Sequence, residues 1–215
     1  MTHELTALII TAAMLGFIHT VLGPDHYLPF VAMAKAREWS WSKTSVITFL
    51  CGLGHVLSSV VLGLIGVAFG LAVTRLEAVE SVRGDLAAWA LTAFGLVYFV
   101  WGMRRAYKKH AHSHLPENKD GKANITPWVL FTVFVLGPCE PLIPILMYPA
   151  ASESYFGMIL VASVFSMVTI GTMIAMVAIL KKGISFVPAV KLERFSHALA
   201  GFAIFACGVA IHMGL

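Results

Sequence analysis

Residues 16–30 read GFIHTVLGPDHYLPF. The stretch lies inside an apolar run long enough to cross a bilayer, yet it carries His19, Asp25 and His26. Titratable side chains at bilayer depth cost several kcal/mol unless they face a partner or a water-filled cavity, so their presence points to a functional site. Gly23-Pro24 shows how such a site can be built. Proline lacks the N–H a helix needs, and its ring clashes with the carbonyl four residues back, so the helix is expected to break there. Within a membrane a broken helix is tolerated only where the freed backbone is buried in protein or lines a cavity. The stretch therefore predicts half of an intramembrane ion site.

The rest of the chain fits a membrane setting. Of 215 residues, 59% are hydrophobic and only 12% charged, with a mean hydropathy of +0.84. The first basic side chain is Lys35, so the N-terminal segment lacks the charged start of a signal peptide and is expected to stay as a membrane helix. Cys51, Cys139 and Cys207 all fall in apolar segments and make no disulfide framework. The net charge of +4 belongs to loops and implies no nucleic-acid partner.

On the criterion of ~20 apolar residues per span, six spans are expected, at about 5–34, 44–74, 86–103, 126–150, 156–180 and 195–214. The first, second and fourth exceed what a straight helix requires, which predicts tilt or breaks. Gly66 and Gly70 form a small-residue pair suited to close helix packing. Thirteen of the fifteen Lys and Arg residues lie in the segments 35–43, 104–122 and 181–194, flanked by Trp39, Trp41, Trp101 and Trp128. The positive-inside bias then places these loops in the cytoplasm and both termini outside.

Three spans per half make the fourth antiparallel to the first. Leu22-Gly23-Pro24-Asp25-His26 is matched in the second half by Leu136-Gly137-Pro138-Cys139-Glu140, each followed by further prolines. Gly-Pro with two ligand-type residues, placed alike in both halves, predicts an inverted repeat around a shared midplane site. The expected fold is thus an all-α membrane protein with six transmembrane helices in an inverted 3+3 repeat, the first and fourth broken at proline. It forms one domain, 1–215, whose halves, about 1–104 and 125–215, are joined by a cytoplasmic loop, 105–124.

Asp25 lies ~15 Å along a helix from Lys35, His55 ~18 Å from Lys43, and Cys139 ~21 Å from Ile125, all near the middle of a ~30 Å core. The proposed ligands are His19, Asp25, His26, His55, Cys139 and Glu140, with Gly23, Pro24, Gly137 and Pro138 as hinges. Two carboxylates suit a divalent cation, and imidazole with thiolate favours Ni, Co, Zn or Cu over Mg or Ca. His19 can alternatively serve as a hydrogen-bonded helix–helix residue, and Cys139 as an apolar filler. Cys51-Gly52-Leu53-Gly54-His55 leaves room for another helix beside His55. Thr169 and Thr172 can line a pathway or bond their own helix carbonyls. His110, His112 and His114 can capture metal at the cytoplasmic face or simply be solvated. His3 is assigned no role.

His19, Asp25-His26 and Leu53-Gly54-His55 resemble the nickel/cobalt transporter superfamily, including its urease-accessory-like branch. That resemblance implies transport of nickel or cobalt, with these side chains as ligands and the ion as the substrate. Five residues rather than four separate His19 from Asp25, a rotation of ~100° on a regular helix. Gly137-Pro138-Cys139-Glu140-Pro141 resembles half of the paired broken helices of the cytochrome c biogenesis and disulfide-relay membrane proteins. The alternative this implies is a membrane thiol–disulfide electron carrier using Cys139, although a relay needs a second sulfur and position 25 is Asp. The expectation is a multi-pass metal transporter of the cell membrane, an inner membrane, rather than an enzyme. Its partners are the bilayer and the metal ion, it needs no organic cofactor, and it is open to a homo-oligomer or an accessory subunit.

Overall fold

A computed structural model describes residues 3–108, 126–137, 139, 141–151, 155–185 and 193–214. Apart from short turns, the described residues are helical. α1 (His3–Leu22) leads through a 3-10 turn, Pro24–His26, into the short α2 (Leu28–Ala36). The long helices α3 (Trp41–Ala68) and α4 (Val73–Lys108) follow, then the short pair α5 (Thr126–Leu136) and α6 (Leu142–Ala151). α7 (Tyr155–Ser185) and, after a second 3-10 turn at Glu193–Phe195, α8 (Ser196–His212) complete the chain.

Local chemistry sets the ends of these helices. The last bond of α1 runs from the Gly23 amide to the His19 carbonyl, 3.0 Å. Pro24 has no N–H to continue the ladder, and its fixed φ suits the first position of the turn that follows. The Tyr27 hydroxyl reaches back and donates to the Val21 carbonyl, 3.1 Å, satisfying an acceptor that the interruption leaves open. α3 opens on Ser40, whose Oγ accepts from the Lys43 amide at 3.2 Å. It closes on Gly70 at φ +60, with Leu71 donating to Gly66 and Gly70 to Val67, the paired bonds of a Schellman motif. Gly70 therefore terminates a helix, and only Gly66 packs, against Leu76 of α4.

Four helices (α1, α3, α4 and α7) are long and apolar enough to cross a membrane, and α5 and α8 are shorter apolar helices. Apolar side chains such as Phe17, Trp89, Val97, Ile159 and Met167 stand more than half exposed on the outside of the bundle, as lipid contact requires. The chain is a membrane protein. α4 begins well before residue 86, where apolar character alone would start it. It carries Glu77, Glu80, Arg83 and Asp85 in its first part, and the ion pair Glu80–Arg83, 2.7 Å, holds there within one turn.

The inner seam joins α4 to α8. Gly95 and Gly102 of α4 face the backbone of Phe205 and Ala198, while Gly201 and Gly208 of α8 face Phe99 and Thr92. A side chain on any of the four would strike the opposing helix, so these glycines are what allow the two backbones to touch. α1 lies along α7, where Gly16 meets Phe165 and Thr169. α3 packs between α5 and α7: a Cβ on Gly54 would stand 2.7 Å from Val135, and one on Gly52 3.1 Å from Met173.

Candidate functional site

Three helical segments deliver three imidazoles to one point. His19 comes from the last turn of α1, His26 from the 3-10 turn and His55 from the middle of α3. Their ligand nitrogens all lie within 4.8 Å of one another. The His19 and His26 rings meet edge to face at 4.7 Å, His26 and His55 likewise at 5.1 Å, and His19 and His55 are parallel at 6.4 Å.

The partners of Nδ1 fix which nitrogen faces the centre. His26 Nδ1 lies 3.1 Å from the Gly23 carbonyl and 3.3 Å from Asp25 Oδ1. Both are acceptors, so Nδ1 carries the proton, and in the neutral ring Nε2 keeps its lone pair. His55 Nδ1 lies 3.3 Å from the Phe134 carbonyl, and the same reasoning leaves its Nε2 as an acceptor. The Nε2 atoms of His19, His26 and His55 are all buried without a hydrogen-bond partner among the described residues. Three buried ring nitrogens left without a partner, on imidazoles that meet at one point, are costly for a protein to keep unless something binds them. Nitrogens around a tetrahedral ion at ~2.0–2.1 Å stand about 3.4 Å apart, so a modest inward movement of the rings would close the set on one ion.

The imidazoles line a cavity of about 420 Å³. Gly84, Ala87, Ala88 and Leu91 of α4 with Ile211 of α8 form its far wall, and Gly23, Asp25, Phe134 and Gly137 complete the near side. It extends toward the end of the bundle where α8 finishes, reaching Gly214. Next to the lining Phe134 the protein is closely packed: the Phe30 and Phe134 rings pack at 4.7 Å, and Phe30, Met33 and Leu130 have no exposed surface.

Of the six expected ligands, His19, His26 and His55 come together. Asp25 stands beside them in a different relation: it lines the cavity with its carboxylate against His26 Nδ1, the carboxylate–histidine pairing that orients many metal-binding imidazoles. Cys139 is fully buried and belongs to an apolar cluster with Ala12, Val56, Leu142 and Val161, its amide donating to Ser59 Oγ at 3.2 Å. It is not part of the three-histidine set. Glu140, Pro138, His110, His112 and His114 lie outside the described residues. Of the expected hinges, Gly23 and Gly137 line the cavity, and Pro24 begins the 3-10 turn. Thr169 is buried where α7 meets Gly16, Thr172 is half-buried, and neither lines the cavity.

Sequence reasoning missed two elements. The α4 wall has no ligand-type residue to announce it. The carbonyls of Phe134 and Gly23, as backbone groups, leave no sequence signal at all.

The family model for the transmembrane region of cytochrome c biogenesis proteins matches residues 9–210. No curated protein and no solved structure matches the chain. The match supports the more distant of the two resemblances drawn from the sequence. The nickel/cobalt transporter superfamily receives no support.

Proposed function

This chain belongs to the family of cytochrome c biogenesis transmembrane regions, and we propose that within that family it binds a transition-metal ion at His19, His26 and His55 and passes it through the membrane. The observation that carries this reading is the meeting of three imidazoles that line a 420 Å³ cavity, with one ligand nitrogen of each within 4.8 Å of the others and every Nε2 buried and unpartnered among the described residues. Neutral imidazoles suit Ni, Co, Zn and Cu, and three of them with an open side resemble sites that hold an ion and still admit exchange. Asp25 holds the His26 proton on Nδ1 and offsets the charge of the ion. The ion is the substrate.

Transport would use the interruptions at Gly23-Pro24 and Gly137-Pro138 as hinges between two inverted three-helix halves. α1 with α2, α3 and α4 would form one half, and α5 with α6, α7 and α8 the other. The cavity reaches the site from the end where α8 finishes, which the basic-residue bias assigns to the extracytoplasmic side. A cysteine placed at position 115 of an otherwise Cys-free variant should resist impermeant thiol reagents in intact cells. Ready labelling would reverse the orientation.

The family match speaks more directly for a second reading, a membrane thiol–disulfide carrier using Cys139. Thiol exchange requires two sulfurs that can meet. None of the three cysteines is disulfide-bonded; Cys51 and Cys207 belong to one apolar cluster and Cys139 to another. Elemental analysis of protein purified in detergent, with titrations of Ni, Co, Zn and Cu, separates the two readings. About one ion per chain, lost on replacing His26 or His55, is the expected result. Dithiol-dependent electron transfer that survives chelation and is lost with Cys139→Ser would instead establish the carrier.

A further inference from the structure

Arg83 sits on the cavity-wall helix α4, beside cavity-lining Gly84, and is one of only two basic residues outside the three basic segments. Its side chain is 17% exposed and that of its partner Glu80 1%. One arm of the guanidinium donates to Glu80 Oε1 at 2.7 Å. The other donates to Ser58 Oγ at 2.7 Å and to the Val135 carbonyl at 2.8 Å. Each of these last two contacts leads to His55.

Ser58 donates its own hydroxyl proton to the His55 carbonyl, 2.8 Å, so the bond from Arg83 through Ser58 bears on the main chain that carries the imidazole. Val135 is the neighbour of Phe134, whose carbonyl accepts from His55 Nδ1. The bond from Arg83 to Val135 therefore fixes the last turn of α5, and with it the acceptor that orients the ring. α3 and α5 are in close contact at the same level, where Gly54 faces Val135. The two contacts thus hold both ends of one ligand, its backbone and its second-nitrogen partner.

Resting on the three-histidine reading, we infer that Arg83 is a positioning residue for His55: it sets the direction of Nε2 without touching the ion. The planar fork is needed because one group must reach an acid, a hydroxyl and a carbonyl on three different helices. Glu80 keeps the guanidinium neutralised at a depth where a lone cation would be costly.

The test uses full-length protein in detergent with Co(II) as the probe, read by affinity and by its d–d absorption, which reports ligand geometry. Replacing Arg83 alone takes the paired cation away from the buried Glu80 carboxylate, so the main variant is the double change Glu80→Gln with Arg83→Gln, which removes both charges. It should bind Co(II) about 10–100-fold more weakly, as loss of outer-shell partners usually does, with an altered spectrum. Arg83→Lys should recover part of the affinity, since an ammonium can keep Glu80 but cannot span Ser58 and Val135 together. Ser58→Ala, which keeps the ion pair, should weaken binding several-fold, and it decides the matter if the double variant does not fold. Wild-type affinity and an unchanged spectrum in folded double variant or in Ser58→Ala would overturn the role of Arg83 while leaving the site standing. Failure of the wild type to bind Co(II) would remove the site itself, and this inference with it.

Discussion

Two helix interruptions carry related sequences, one between α1 and α2 and one between α5 and α6, and their described residues sit in different surroundings. Between α1 and α2, Gly23 to Tyr27 turns through a 3-10 turn and aims His26 and Asp25 at the cavity. Between α5 and α6, the corresponding Cys139 is buried in an apolar cluster. Among its described residues, what this second region brings to the imidazoles is backbone: the Phe134 carbonyl accepts from His55, and Gly137 lies beside the ring. The described residues of the first interruption supply an imidazole and its carboxylate, and those of the second an acceptor and space. Sequence likeness between the two segments is therefore a poor guide to which side chains share a role.

The largest expected effect tests the ligand side. His26→Ala and His55→Ala should each lower metal affinity by 100-fold or more in equilibrium titrations, with thermal unfolding in detergent little changed. Metal binding that survives both would move the site elsewhere. Asp25→Asn comes next. Because Asp25 contacts His26 Nδ1 rather than standing among the converging nitrogens, the expected loss is about 10–100-fold. Retention of wild-type affinity would make that carboxylate a solvated bystander.

A matched pair of glycine substitutions sharpens the contrast. A Cβ on Gly23 would stand 2.5 Å from His26 Nδ1 and 2.9 Å from Asp25 Oδ1, whereas one on Gly137 would stand 3.3 Å from His55 Nδ1. Gly23→Ala should therefore weaken metal binding by roughly tenfold through a displaced His26. Gly137→Ala should cost only a few-fold, because the ring needs to give by a few tenths of an ångström. An equal response would mean the two interruptions are functionally equivalent. The smallest effect is assigned to Cys139→Ala. Metal affinity should stay within about twofold, since the thiol packs among apolar groups. A loss as large as that of His26→Ala would place the thiol in the site or favour the carrier reading.

The membrane character, the all-helical build and the meeting of His19, His26 and His55 were legible because each depends on a strong local signal. Proline removes a donor, and a titratable group in an apolar run demands a reason. His19 joins the set despite its extra spacing because the ladder ends at Gly23, so a regular helical rotation no longer relates it to Asp25. Residue type announces chemistry while burial direction does not, so the apolar neighbours of Cys139 could not be read from its motif. The start of α4 was hidden for the opposite reason: charges that read as a loop are helical, and Arg83 hydrogen-bonds across to α3 and α5. Contacts between distant carbonyls and side chains have no period or composition from which to be read.

The glycine seam between α4 and α8 also bears on how the protein is made. In chain order α5, α6 and α7 are synthesised between the two helices that form it. The grooved face of α4 must wait in the membrane, beside other helices able to dock there, until its own partner arrives. Only then is the far wall of the cavity complete, because Ile211 is carried by α8. Replacing Gly102 or Gly201 by leucine would therefore show first as a defect of biogenesis, with the chain caught by quality-control proteases before any question of ion binding arises.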